Sequence, residues 1–170
     1  MSQLTRSLLL AIPLLLLHCG GRVEVNSLPR KGWSKPIDRV FLLCTAGPSG
    51  SSYRANDLQE RLARALAARQ VATRSWMSNI LDLADADKLK AELSGFKPHY
   101  LLRISQIAAT YTNGTQTAAT FDLLLTETGV EEPVWKARAS LSGNWGGGDP
   151  EKLSQAILEA MRQDGVLLPS

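Results

Sequence analysis

Apolar residues recur along this chain in three rhythms. Residues 8–17 form an unbroken apolar run, Leu-Leu-Leu-Ala-Ile-Pro-Leu-Leu-Leu-Leu. A shorter run at residues 37–44, Ile-Asp-Arg-Val-Phe-Leu-Leu-Cys, is bounded by turn-forming residues and predicts a buried strand. A period near 3.6 follows. Leu58, Leu62, Ala65 and Leu66 share one helical face, while Arg54, Asp57, Glu60, Arg61 and Arg64 take the rest, so an amphipathic helix is expected to end about residue 69. Residues 71–76 predict a second strand. Residues 85–93 predict a shorter helix with Asp85 near its start and Gly95 as its stop.

Past Pro98 the rhythm shifts to two. Residues 100–107 lead into a Thr-rich stretch, and Asn113-Gly114 is the pair favoured in a type I′ hairpin turn. Residues 115–126 return, Gly129 opens another turn, and residues 134–141 alternate as a half-buried strand does. Together these predict a three-stranded antiparallel meander. Asp149 and Pro150 supply an N-cap and a first-turn proline for a last helix, with Leu153, Ile157, Ala160 and Met161 inward. The expected order is β-α-β-α-β-β-β-α: an α+β fold with a single mixed sheet and its helices on one face.

With 170 residues the chain has room for one domain with a full core. Its 44% apolar and 21% charged residues are those of a foldable soluble protein. The formal charge of +3 arises from 19 basic and 16 acidic residues scattered among one another, so no clustered cationic footprint for nucleic acid is present in the sequence.

The first residues carry an address. Arg6 precedes the apolar run, which would rise only about 15 Å as a helix, half of a bilayer core. Pro13 further weakens a membrane-spanning reading. The run ends in Leu16-Leu17-His18-Cys19-Gly20-Gly21, which resembles a lipobox of bacterial lipoproteins. The resemblance implies a signal peptide at 1–18, cleavage before Cys19 and lipidation of its sulfur, with several acyl chains giving stable membrane attachment. His18 stands where that family prefers a small residue. Gly20 follows the cysteine where an Asp would favour inner-membrane retention, which implies the periplasmic face of the outer membrane. An uncleaved anchor is the alternative. Residues 19–36 then read as lipidated cysteine and flexible tether, with Trp33 packing on the domain edge and residues 37–170 as a single periplasmic domain.

A second resemblance rests on Lys97-Pro98-His99-Tyr100-Leu101-Leu102 and on Thr126-Glu127-Thr128-Gly129 ahead of Val134-Trp135-Lys136-Ala137. This pattern resembles small periplasmic lipoproteins of the CsgG and TolB-N-terminal kind. It departs from them at His99, at Glu127 and at the Arg69-Gln70 turn, where Gly is common. What it implies is a non-enzymatic accessory role in assembly or transport, exercised on an envelope protein partner, with no catalytic residue and no cofactor.

Candidate chemistry is sparse. The strand–loop–helix Gly47-Pro48-Ser49-Gly50-Ser51-Ser52 leads into Tyr53-Arg54 and lacks the Lys-Ser/Thr of a phosphate loop; the Gly-x-Ser-x-Gly order is absent too. Cys44 and His99 are the thiol and imidazole left in the mature chain, and adjacent strands could unite them as nucleophile and base. An apolar run ending in Cys44 argues instead for a buried thiol. Asp82, Asp85, Asp87 and Glu92 alternate with Lys88 and Lys90 as a solvated helix face does, and no zinc or calcium spacing occurs. Tyr111, Asn113 and Thr115 in the Thr-rich hairpin are candidates for contact with a partner, the alternative being a plain solvated hairpin; Trp145 in its glycine run is either an interface anchor or a cover for the sheet's end. Binding of a small ligand or lipid in the fold's interior remains a third option.

Overall fold

The computed structural model describes residues 21–33, 35–45, 53–78, 85–143 and 149–168. Residues 1–18, Cys19, the Gly47–Ser52 loop and Trp145 lie outside them. Six strands and three helices follow in the order β1 (Arg22–Pro29), β2 (Arg39–Thr45), α1 (Tyr53–Ala67), β3 (Ala72–Ser78), α2 (Asp85–Phe96), β4 (Tyr100–Thr112), β5 (Thr115–Glu127), β6 (Pro133–Ser142) and α3 (Pro150–Gln163). All six strands join one mixed sheet in the order β1-β6-β5-β4-β2-β3. β4, β5 and β6 form the expected antiparallel meander. β2 lies parallel to both β3 and β4.

The first correction concerns the tether. Arg22–Pro29 is not flexible chain but an edge strand, antiparallel to β6 from Arg22↔Ser142 to Pro29↔Trp135. Val23 and Val25 pack against the core, whereas Arg22, Glu24, Asn26 and Leu28 face solvent. That two-residue alternation is present in the sequence, but the partner that makes it a strand lies more than a hundred residues away. The folded unit therefore begins at β1 rather than at residue 37.

A second correction concerns the helices. α1 and α3 pack on one face of the sheet, over Val40, Leu42, Cys44, Leu102, Ile104, Phe121, Leu123, Leu125 and Trp135. α2 lies on the other. Phe41, which alternates with Val40 and Leu42 and so points the opposite way, meets Phe96 of α2 with ring centroids 6.1 Å apart. Arg39 and Arg74 each stand over the same Phe96 ring. α2 also runs through Gly95 to Phe96; the chain leaves it at Lys97, which takes the left-handed φ of 52°. Gln70, in the turn between α1 and β3, also has a left-handed φ, 63°.

Other expectations hold. Asn113 and Gly114 both have positive φ, 51° and 77°, as a type I′ turn needs. The Asp149 side chain accepts from the Glu151 N–H at 2.9 Å, with Pro150 at the first helical position. Trp33 packs edge-on to Tyr100 at the core's margin, 5.9 Å between centroids. Asp164 ties three elements together: it is the C-cap of α3 and accepts from Ser27 Oγ at 2.6 Å and from Trp135 Nε1 at 2.7 Å. No helix among the described residues is long and apolar enough to cross a membrane.

Candidate functional site

The parallel register of β2 and β4 decides the fate of Cys44 and His99. Val40 is level with Tyr100 and Cys44 with Ile104, so both strands run the same way. His99 donates its backbone N–H to Arg39 O and thus sits at the start of β2, whereas Cys44 lies near its end. Five residues of strand separate their levels, roughly 16 Å. No nucleophile–base contact forms. Cys44 is fully buried, its Sγ 3.6 Å from Ala55 O, and burial pushes its thiol up to about 12. A thiol so placed is a small hydrophobe, almost wholly protonated at neutral pH.

His99 has a different partner. Its Nδ1 lies 2.9 Å from both carboxylate oxygens of Asp38, with both side chains more than half exposed. The hydrogen bond from His99 holds the Asp38 carboxyl below its ordinary value, against the opposing effect of burial. The ionised carboxylate fixes the ring's proton on Nδ1 and leaves Nε2 as an acceptor when the imidazole is neutral. Beside His99 runs an open groove of about 1000 Å³, between the end of α2, the start of β4 and the β5–β6 turn. Leu93, Pro98, Leu101 and Val130 give it an apolar floor, and Lys97, Glu127 and Glu131 its charged rim. Thr128 is held in place by its neighbours, donating from Oγ1 to Pro98 O at 2.7 Å and from N–H to His99 O at 2.9 Å. The groove was not anticipated from sequence. The one local signal is the Lys97-Pro98 exit from α2, the same segment that carries the family-like pattern. It can accept an apolar group beside a hydrogen-bonding imidazole; among its lining hydroxyls, Thr126 Oγ1 donates to Leu101 O at 3.4 Å and Thr128 Oγ1 to Pro98 O. The cavity lies on the surface rather than in the fold's interior, the place considered for a ligand as a third option.

The hairpin lies at the opposite end of the sheet. Tyr111, Asn113 and Thr115 are all exposed and lie within a few residues of one another at the β4–β5 tip. Thr117 Oγ1 donates to Thr110 O at 3.3 Å and approaches Thr112 Oγ1 at 3.4 Å, so the Thr row braces the ribbon across its two strands. Arg54 of α1 reaches the hairpin base, donating to Gln116 O at 3.2 Å. The described residues contain no cluster of three or more His, Cys, Asp or Glu able to hold a metal.

No protein-family model and no curated protein matches the chain. Solved structures of the same fold are found. The chain is similar to the PelC dodecamer from Paraburkholderia phytofirmans, with a TM-score of 0.58 and 13% identity over 87% of this chain and 100% of that one. A point variant of that dodecamer matches with a TM-score of 0.56 and 12% identity, covering 85% and 98%. At such identities the likeness is one of fold.

Proposed function

We propose that this protein is a membrane-anchored periplasmic lipoprotein that acts without catalysis, as an assembly module of the cell envelope that associates with further copies of itself. The observation that carries the reading is the fold match, which spans all of a PelC subunit whose structure is a dodecamer. The two edges of the sheet support this reading. β1 and β3 are its two edges, and neither has a second partner strand among the described residues. Such edges invite pairing with another chain unless they are covered. Attachment through lipid on Cys19 is what the lipobox resemblance implies, and the CsgG- and TolB-like pattern points to the same accessory role.

Two measurements test this. In a Gram-negative host, labelled palmitate should enter the wild-type protein and not Cys19→Ala. Detergent-solubilised protein should run as a multimer by light scattering; a monomer at every concentration would end the assembly proposal. The competing Cys44–His99 enzyme predicts fast thiol labelling of the folded protein at neutral pH. With the thiol pushed to about 12, labelling is expected to be slower than that of a free cysteine by about a thousandfold or more, and unchanged in His99→Ala.

A further inference from the structure

We infer that the β4–β5 hairpin is a second membrane contact, resting its uncharged tip among phospholipid headgroups while lipid on Cys19 holds the start of the chain. This rests on the anchoring reading above and goes beyond it, because it fixes how the domain stands on the bilayer.

The argument is one of length and level. β1 begins at Arg22, three residues after Cys19. Three extended residues reach at most about 10 Å. An anchored Cys19 therefore keeps the first residue of the sheet within that distance of the lipid. Arg22 is level with Ser142 of β6, Ser142 with Ala118 of β5, and Ala118 with Thr110 of β4. From that shared level the hairpin alone continues, through Tyr111↔Gln116 and Thr112↔Thr115 to the Asn113-Gly114 turn. It extends about 10 Å further, in the direction in which the chain departs towards Cys19. The short leash and the projecting tip match in length. They are two to three strand spacings apart across the sheet, or about 10–14 Å, which gives the domain two separated points of support.

The chemistry of the tip suits this place. Residues 104–121 contain no Asp, Glu, Lys or Arg, so nothing on the hairpin is repelled by anionic lipid. Tyr111 is 41% exposed and Ile107 42%, the two large apolar side chains left uncovered on this ribbon. Tyrosine, with an apolar ring and a polar end, favours the headgroup level, and threonine hydroxyls can donate to phosphate and ester oxygens there. Beside them Arg22, paired with Glu24 at 3.6 Å, is the cation nearest the anchor. The acids towards this end include Glu24, paired with Arg22, and Asp57 and Glu151, both paired with Arg61; Asp149 caps α3. The groove beside His99, at the other end of the same strands, faces away from the bilayer.

Full-length lipidated protein in vesicles of phosphatidylethanolamine and phosphatidylglycerol tests the proposal. A thiol-reactive, environment-sensitive dye is placed at Thr115→Cys near the tip or at Glu131→Cys at the far end; the other two sulfurs are acylated or buried. A lipid spin-labelled in its headgroup should quench the Thr115 probe at least about twofold more than the Glu131 probe. Adding Tyr111→Asp should bring quenching at 115 down towards the level at 131 while the protein still floats with the vesicles. Equal quenching at both positions in floating protein overturns the hairpin contact and leaves the anchor intact. Protein that fails to float overturns both. A probe at 115 that shifts to the blue with rising protein concentration, unquenched by lipid, assigns the tip to a second copy and also overturns the proposal.

Discussion

The two faces of the sheet are made by the same strands and have opposite fates. Under α1 and α3, every second residue of β4 to β6 is buried: Leu102, Ile104, Phe121, Leu123, Leu125, Trp135, Ala139 and Leu141 are each at most 2% exposed. On the other face their neighbours Arg103, Lys136 and Arg138 are solvent-facing, and Arg138 is paired with Asp122 at 2.8 Å. α2 covers only the Phe41 corner there and buries none of its own residues. Stability resides on the first face. The second is free to carry recognition, which is where the groove lies.

The sharpest way to break this contrast is to truncate one residue on each face at adjacent positions. Trp135→Ala should cost about 3–5 kcal/mol, because a fully buried indole leaves a cavity that its neighbours only partly fill. Lys136→Ala, one residue along, should stay within about 0.5 kcal/mol. Urea unfolding with unchanged slope reads both. Equal effects would mean that the open face is packed in solution against something absent from an isolated chain.

A smaller effect is expected at Asp164. Asp164→Ala strips the acceptor from Ser27 Oγ and from the part-buried Trp135 Nε1, and should cost about 1–3 kcal/mol. It should also loosen β1 before the rest of the sheet, since that carboxylate links the edge strand to α3. Hydrogen exchange of the Glu24, Asn26 and Leu28 amides, which alternate with the outward-pointing ones and face β6, is the check. Protection that is lost there no faster than in β5 would mean that pairing with β6 alone holds the strand.

What the sequence shows follows the same division. Period-two alternation in residues 100–141 and the 3.6 period of α1 and α3 are local, and each was legible because it reports one buried face. β1 was misread as tether although Val23 and Val25 alternate with Arg22, Glu24 and Asn26. Its half-exposed edge lacks a long apolar run, and its partner β6 is remote in sequence. The side taken by α2 was hidden for a related reason: Phe41 sits within a continuous apolar run, which gives no clue that one of its members faces the other way. Cys44 lies in β2 and His99 directly precedes the neighbouring β4. Strand direction, which neither residue reveals, then set them at opposite ends. The hairpin tip was legible from Asn113-Gly114 alone, whereas the groove needs three distant segments and has no single motif.

The smallest expected effect concerns the pair at the groove's rim, and pH exposes it. His99 lowers the Asp38 carboxyl below 3.8 by hydrogen bonding to its charged form. A carboxylate depressed in the folded state adds stability that is fully present above the unfolded value and is lost as pH falls through the folded one. Since both side chains are more than half exposed, water and salt screen the pair to within about 0.2–1 kcal/mol. Wild type should therefore exceed His99→Ala by that amount at pH 5, and the gap should close as pH falls below the ordinary carboxylate range and Asp38 protonates. In molar salt it should shrink at every pH. A gap of several kcal/mol that persists in salt would show the rim to be buried in solution, and the division between a structural and an open face would no longer hold there.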